Sequence, residues 1–176
     1  MGLATLHPVP FYGPGYRAIH ALALTLIAAG LGLRAWGAGS AGRHTRSGTI
    51  EAARLSTSGA FAYVRNPIYL GSIAIGFGMA ALIGNPLGYL LASVTFAFLY
   101  LSIVPAEEEF LSCRFGVEYR RYKQAVPRFL PRFKPFPGAA RQPFLWRAIL
   151  GESSMALLLL GIYMVLRLGK YFHRTG

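Results

Sequence analysis

Between Arg65 and Glu107 the chain runs for forty-one residues, 66 to 106, without a charged side chain. That is about twice the ~20 residues an α-helix needs to cross a bilayer. Gly84-Asn85-Pro86 interrupts the run near its middle with residues that end one helix and begin another. The pattern predicts a helical hairpin with spans at 67–84 and 87–105. Two further apolar segments flank it at 16–36 and 145–168, the second carrying Glu152 near its start. The expected fold is all-α: a polytopic membrane protein of four transmembrane helices forming one domain over 1–176, with loops at 37–66 and 106–144. A hairpin returns both ends to one face of the membrane. The polar residues bracketing it, Arg65-Asn66-Pro67-Ile68-Tyr69 and Glu107-Glu108, are therefore expected to meet.

Beyond Pro105 the pattern turns amphipathic. Leu111, Phe115, Tyr119 and Tyr122 are spaced to share one helical face, while Arg120, Arg121 and Lys123 fall largely on others. The third span is thus expected to continue as a helix past the membrane surface, kinked at Pro105, with its apolar stripe folded against the protein or the interface. From Val126 to Pro137, prolines at 127, 131, 135 and 137 forbid a regular helix while basic and aromatic residues alternate, which reads as an extended strap in the headgroup region or as a linker to the last span. Ser72, Gly76 and Ala80, with Ala74 and Gly78 alongside, give the second span the small residues that let membrane helices approach closely. The segment from Gly37 to Ser58 carries no hydrophobic periodicity and is long for a simple connection.

Composition agrees with a membrane protein: 54% of the 176 residues are apolar and only 14% charged, too few polar groups to wet a soluble domain of this size. The formal charge of +12 is concentrated in the two loops. Arg34, at the end of the first span, Arg43, Arg46, Arg54 and Arg65 go with the first, and Arg114, Arg120, Arg121, Lys123, Arg128, Arg132, Lys134, Arg141 and, at the start of the last span, Arg147 with the second. By the positive-inside rule both loops are expected in the cytosol, which leaves Arg167, Lys170 and Arg174 on the other side. Charge so placed points to anionic lipid headgroups as partners, at ~1 kcal/mol per basic side chain, and not to nucleic acid. Cys113 is the only cysteine, so no internal disulfide and no cysteine-based metal site is expected. The N-terminus has neither the basic region of a secretory signal nor a Ser or Thr at position 6 for myristoylation.

The brackets of the hairpin carry the chemistry. Asn66-Pro67 reads as a helix start, with Asn as cap and Pro at the first helical position; such a start at a membrane surface offers N–H groups and partial positive charge to an anion. Glu107 offers the opposite sign. Together they suit a zwitterionic ligand with ammonium and carboxylate groups. The alternative readings are an interfacial aromatic at Tyr69 and a solvated helix start at Glu107-Glu108-Glu109; consecutive helical residues point ~100° apart, so at most two of these carboxylates face one site. The chain contains no Asp, no glycine-rich nucleotide loop, no His-rich metal set and no Ser-His-Asp arrangement.

Two motifs in order around the hairpin complete the picture: Ser58-Gly59-x-Phe61-x-x-x-Arg65-Asn66-Pro67-x-Tyr69-x-Gly71, and Glu107-Glu108-x-x-Leu111-x-x-x-Phe115-Gly116-x-x-Tyr119-x-x-Tyr122-x-x-x-Val126-Pro127. From about Leu55 to Pro131 the chain resembles the integral-membrane methyltransferases of the isoprenylcysteine carboxyl methyltransferase and phospholipid N-methyltransferase superfamily. The resemblance implies S-adenosylmethionine as methyl donor at the cytosolic helix ends and a lipid acceptor entering from the bilayer. It implies that Leu55, Ser56, Phe61, Asn66, Pro67, Ile68, Tyr69 and Glu107 line the donor pocket. Four positions depart from the isoprenylcysteine pattern: Ala53 for a His, Phe61 for a Tyr, Asn66 for the His of His-Pro-x-Tyr, and Ile103 for the Arg that meets the acceptor carboxylate. Asn-Pro-x-Tyr is similar to the phospholipid branch.

These features predict methyl transfer to a membrane lipid, a phospholipid amine before an isoprenylcysteine carboxylate. Glu107 and Glu108 are the expected catalytic carboxylates, with Glu152 as another proton acceptor. Arg65, Arg128 and Arg132 are expected to meet a lipid phosphate, and Ile103 to line the acceptor side. A nicotinamide-dependent membrane reductase and a small transporter are the readings from other classes; the uncharged hairpin weighs against transport, which calls for an ionisable group in the membrane.

Overall fold

The computed structural model describes residues 14–41, 54–139 and 143–175, and within them there are helices and no strand. Arg43, Arg46, Ala53 and Arg141 lie outside these residues, as do the side chains of Arg167, Lys170 and Arg174. Five α-helices follow one another: α1 (Pro14–Ser40), α2 (Pro67–Ile83), α3 (Pro86–Phe98), α4 (Val104–Ala125) and α5 (Trp146–Thr175). A 3₁₀ turn, Gly59–Ala62, precedes α2, and a π-turn, Leu99–Ile103, joins α3 to α4. Among the described residues, three helical stretches are long and apolar enough to cross a bilayer: 15–40, 86–125 and 146–165, with Pro67–Ile83 a shorter apolar helix. The protein is an integral membrane protein.

The hairpin forms where the turn residues fall. Gly84 closes α2 in the left-handed conformation, Asn85 Oδ1 accepts the Leu87 N–H at 2.8 Å, and Pro86 opens α3. Phe77 and Phe96 stack across the pair at 5.6 Å. The small residues of α2 serve two neighbours. Gly76 and Ala80 face α3, against Phe96 and Gly88, whereas Gly71 and Gly78 face α1. Gly30 and Gly71 mark the closest approach: a Cβ on either would stand 2.5–2.6 Å from the other's carbonyl oxygen, so only two glycines allow it.

Polar side chains cross this apolar packing. Arg34 of α1 donates Nε to Glu152 Oε2 of α5 at 2.8 Å and Nη1 to Ser72 Oγ of α2 at 2.5 Å, with both charged groups largely buried. His20 Nε2 and Tyr163 Oη lie 3.2 Å apart and link α1 to α5 again. An ionised pair in a span is stable only when each charge has a partner. Here the pair fastens the last helix to the bundle.

The third span continues as a helix to Ala125 and folds its apolar stripe against the protein, as expected, and three local details refine the picture. The first helix runs to Ser40, four residues past the expected end of its span, and Leu145 N–H bonds Gly39 O to bring the start of the last helix beside it. At Pro105 the preceding turn widens into π geometry, and Val104 N–H reaches back to Leu99 O. Proline has no N–H for Leu101 and its ring crowds that carbonyl, and a wider turn relieves both. The break comes at Gly116, whose φ of 49° and ψ of −113° interrupt α4. That backbone region is closed to residues with a Cβ. The apolar stripe therefore does not lie on one straight helix. It bends, and Tyr119 and Tyr122 enter a small core with Leu55, Ala62, Val126 and Phe136, while Leu111 and Phe115 pack at its edge.

Candidate functional site

The two polar brackets meet as the hairpin geometry requires. Tyr69, on the first turn of α2, donates its hydroxyl to Glu107 Oε1 on α4 at 2.8 Å. Glu107 is exposed and Tyr69 half-buried, so the carboxylate is held by one bond and open on its other side. Asn66 does not act as the expected cap. Its side chain makes no bond to the first turn of α2; Nδ2 points instead to Arg128 O at 3.3 Å. Asn85, in the same Asn-Pro setting, does cap its helix. The difference leaves the Ile68 and Tyr69 N–H groups uncapped by Asn66, at the positive end of the helix dipole and on the turn from which the Tyr69 side chain reaches Glu107.

One residue on, Glu108 faces another way, as a ~100° step demands. It is buried beneath three cations. Arg128 grips it through two bonds, Nε to Oε1 at 2.9 Å and Nη2 to Oε2 at 2.7 Å; Arg65 Nη1 lies 2.9 Å from Oε1 and Lys123 Nζ 3.3 Å from Oε2. Arg65 Nη1 is near enough for Coulombic attraction but poorly aligned for a hydrogen bond, and its Nε has no acceptor among the described residues. Burial alone would raise the Glu108 pKa; the Arg128 bonds, the charges of Arg65 and Arg128, and the Lys123 contact outweigh it, so the carboxyl titrates below its ordinary value. A carboxylate held ionised in this way is a poor proton acceptor. Glu108 thus joins α4, the approach to α2 and the start of the strap, and Arg65 and Arg128, expected to meet a lipid phosphate, are already engaged with it.

The remaining expected residues are placed around this centre. Leu55 is in the core with Tyr119 and Tyr122. Ser56 Oγ bonds Ala41 O at the end of α1, and the Phe61 carbonyl accepts the Tyr122 hydroxyl at 2.7 Å. Pro67 is buried at the α1 contact, where Gly37 leaves room for it and for Ile68. Ile103 closes the π-turn just before Glu107. Arg132 donates Nη1 to Ala125 O at 3.0 Å. Glu152 is bound to Arg34. Sequence reasoning missed the Arg34–Ser72–Glu152 link and the role of Tyr100, over whose ring Arg128 lies with Cζ 5.8 Å from the centroid. Arg34 and Glu152, each set inside a mostly apolar segment, were the available signal for the first.

Comparison with known proteins adds an independent line. The family described as phospholipid methyltransferase matches residues 18–118, more than half of the chain and the whole hairpin. The protein-S-isoprenylcysteine O-methyltransferase of Schizosaccharomyces pombe is 35% identical over 77 residues, 44% of this chain and 33% of that protein. The cobalt-zinc-cadmium resistance protein CzcN of Cupriavidus metallidurans is 24% identical over 122 residues, 69% of this chain and 56% of its own length. Methanethiol S-methyltransferase 1 of Bradyrhizobium diazoefficiens is 35% identical over 78 residues, 44% of this chain and 26% of that enzyme. The aligned segments thus span from about a quarter to just over half of these relatives. No solved structure matches the chain.

Proposed function

The chain belongs to the phospholipid methyltransferase family, and on that premise we propose that it transfers a methyl group from S-adenosylmethionine to a membrane lipid, a phospholipid amine being the favoured acceptor. The observation that carries this reading is the Tyr69–Glu107 bond beside the uncapped first turn of α2. A carboxylate with an open side and a helix N-terminus with spare N–H groups form an acceptor wall and a donor wall. They suit the ammonium or hydroxyl groups and the carboxylate of such a methyl donor.

S-adenosylmethionine would supply an electrophilic methyl on a sulfonium. The chain's residues hold and orient. Glu107, steadied by Tyr69, accepts hydrogen bonds from donor hydroxyl or ammonium groups, and the Ile68 and Tyr69 N–H groups meet a carboxylate. Glu108 takes no proton; it positions Arg128 and Arg65, and through Arg128 the start of the strap. Rate enhancement comes mainly from fixing acceptor and methyl donor in near-attack geometry. Spans are set at 16–36, 67–84, 87–105 and 145–168, with the basic loops and the site on the cytosolic side.

A second reading, methylation of an isoprenylcysteine carboxylate, draws on the activity named for the Schizosaccharomyces pombe relative. Ile103, an apolar residue on the turn before Glu107, offers such a carboxylate no counter-charge there. Incubating the protein with isotopically labelled methyl donor and a total lipid extract, followed by mass spectrometry, separates the readings. Label is expected in headgroup amines; label in a methyl ester alone would replace the first reading with the second.

A further inference from the structure

We propose that the strap from Val126 to Pro137 is an interfacial anchor that sinks Leu130 and Phe133 into an anionic leaflet, with Arg132 and Lys134 at headgroup level.

The strap is pinned, so the exposure of its apolar residues is not slack in the chain. Arg65 N–H bonds Pro127 O at 2.9 Å, Arg132 N–H bonds Tyr63 O at 3.0 Å, and Phe136 N–H bonds Ala62 O at 2.9 Å. Val126 and Phe136 are buried, the latter edge-on to Tyr122 at 5.6 Å. With these inward positions fixed, Leu130 and Phe133 are turned out, 81% and 103% exposed, the most exposed large apolar side chains among the described residues. Left in water, two such groups on a rigid loop are unfavourable; a bilayer surface removes that cost.

Two further observations choose lipid as the occupant. Phe129 packs on Tyr100 with ring centroids 5.4 Å apart. Tyr100 belongs to the apolar stretch that leads into α4 and stands seven residues before Glu107, ~10 Å along the helix. The strap therefore lies against the last turns of a membrane span, at the depth where acyl chains meet headgroups. The charge is also one-sided: from Arg120 to Lys134 the chain has no acidic residue, and beside Lys123 and Arg128, which Glu108 holds, it carries Arg120, Arg121, Arg132 and Lys134. Apolar tips with basic flanks match an anionic leaflet, in which the tips enter the acyl boundary and the cations meet phosphates.

Site-directed spin labelling tests this without reference to activity, so its failure is distinct from failure of the methyl-transfer reading. Because Cys113 is the sole cysteine, Cys113→Ser provides the background, with Phe133→Cys or Leu130→Cys as reporters and Glu118→Cys as the exposed polar control. Neither reporter side chain is packed in the fold, and either can stand in for the other. In vesicles of phosphatidylcholine and phosphatidylglycerol, the ratio of oxygen to water-soluble nickel-chelate collisions at 130 and 133 is expected to be several-fold higher than at 118. It should fall when phosphatidylglycerol is omitted. Water-like ratios at both positions would overturn the proposal. So would labels shielded from both reagents, the mark of a second copy or another protein on the strap, and a ratio indifferent to phosphatidylglycerol would overturn the assignment to an anionic leaflet.

Discussion

Glu107→Gln is expected to weaken binding of S-adenosylhomocysteine, the product of the methyl donor, by ~10- to 100-fold while leaving the protein folded. The substitution keeps the size of the side chain and an oxygen for the Tyr69 hydroxyl, and removes the charge. A hydrogen bond to a charged group contributes ~1.5–3 kcal/mol, and each 1.4 kcal/mol is about a factor of ten in affinity. Glu107 is exposed and is held through the 2.8 Å bond from Tyr69, so little of the fold depends on its charge. Tyr69→Phe should show a smaller loss, since it frees the carboxylate to rotate without removing it. Calorimetric titration of each variant in lipid nanodiscs checks both values; a Glu107→Gln protein that binds like the parent would remove this carboxylate from the site.

Glu108 should behave in the opposite way, as a residue on which the fold depends. Glu108→Ala leaves Arg65, with 10% of its side chain exposed, and Arg128 facing each other without the anion that both approach within 3 Å. Removing one partner of a buried ion pair costs ~3–5 kcal/mol, chiefly because the other charge is stranded. For a chain of this length that corresponds to a fall of ~10 °C in Tm, measurable by thermal unfolding in detergent. Replacing Glu108 by Leu together with Arg65 by Met should recover part of the loss, because the most buried of the three cations is then removed while Arg128 and Lys123 are exposed enough to reach water. The pH dependence follows from the lowered carboxyl pKa. The unfolded chain binds the proton more tightly, so the stabilisation is present in full above the unfolded value of ~4.3 and is lost as pH falls through the depressed folded value. An unchanged Tm for Glu108→Ala would show that the cluster contributes nothing net.

The hairpin and the meeting of its ends were legible in the sequence because they depend on strong local signals: a charge-free run, and Gly-Asn-Pro to turn it. What could not be read depends on distant partners. Asn66 and Asn85 sit in like dipeptides, yet one caps and the other reaches Arg128, sixty-two positions on. Arg128 was expected at a lipid phosphate and Lys123 on the outer side of the helix, and nothing local tells that both converge on Glu108. The helix does continue past the third span to Ala125, as the spacing of Leu111, Phe115, Tyr119 and Tyr122 predicts; what that spacing hides is the local break at Gly116, because a glycine within such a pattern is tolerated more often than not. The π-turn before Pro105 is likewise the less common answer to a familiar steric problem.

On the proposed function, the start of α2 and the carboxylate of Glu107, brought together by the hairpin, form one site for the methyl donor. Titrating the wild-type protein in nanodiscs with S-adenosylhomocysteine tests it most directly. Saturable binding of one molecule per chain is predicted. No detectable heat, from protein that instead retains a nicotinamide cofactor through purification, would contradict it.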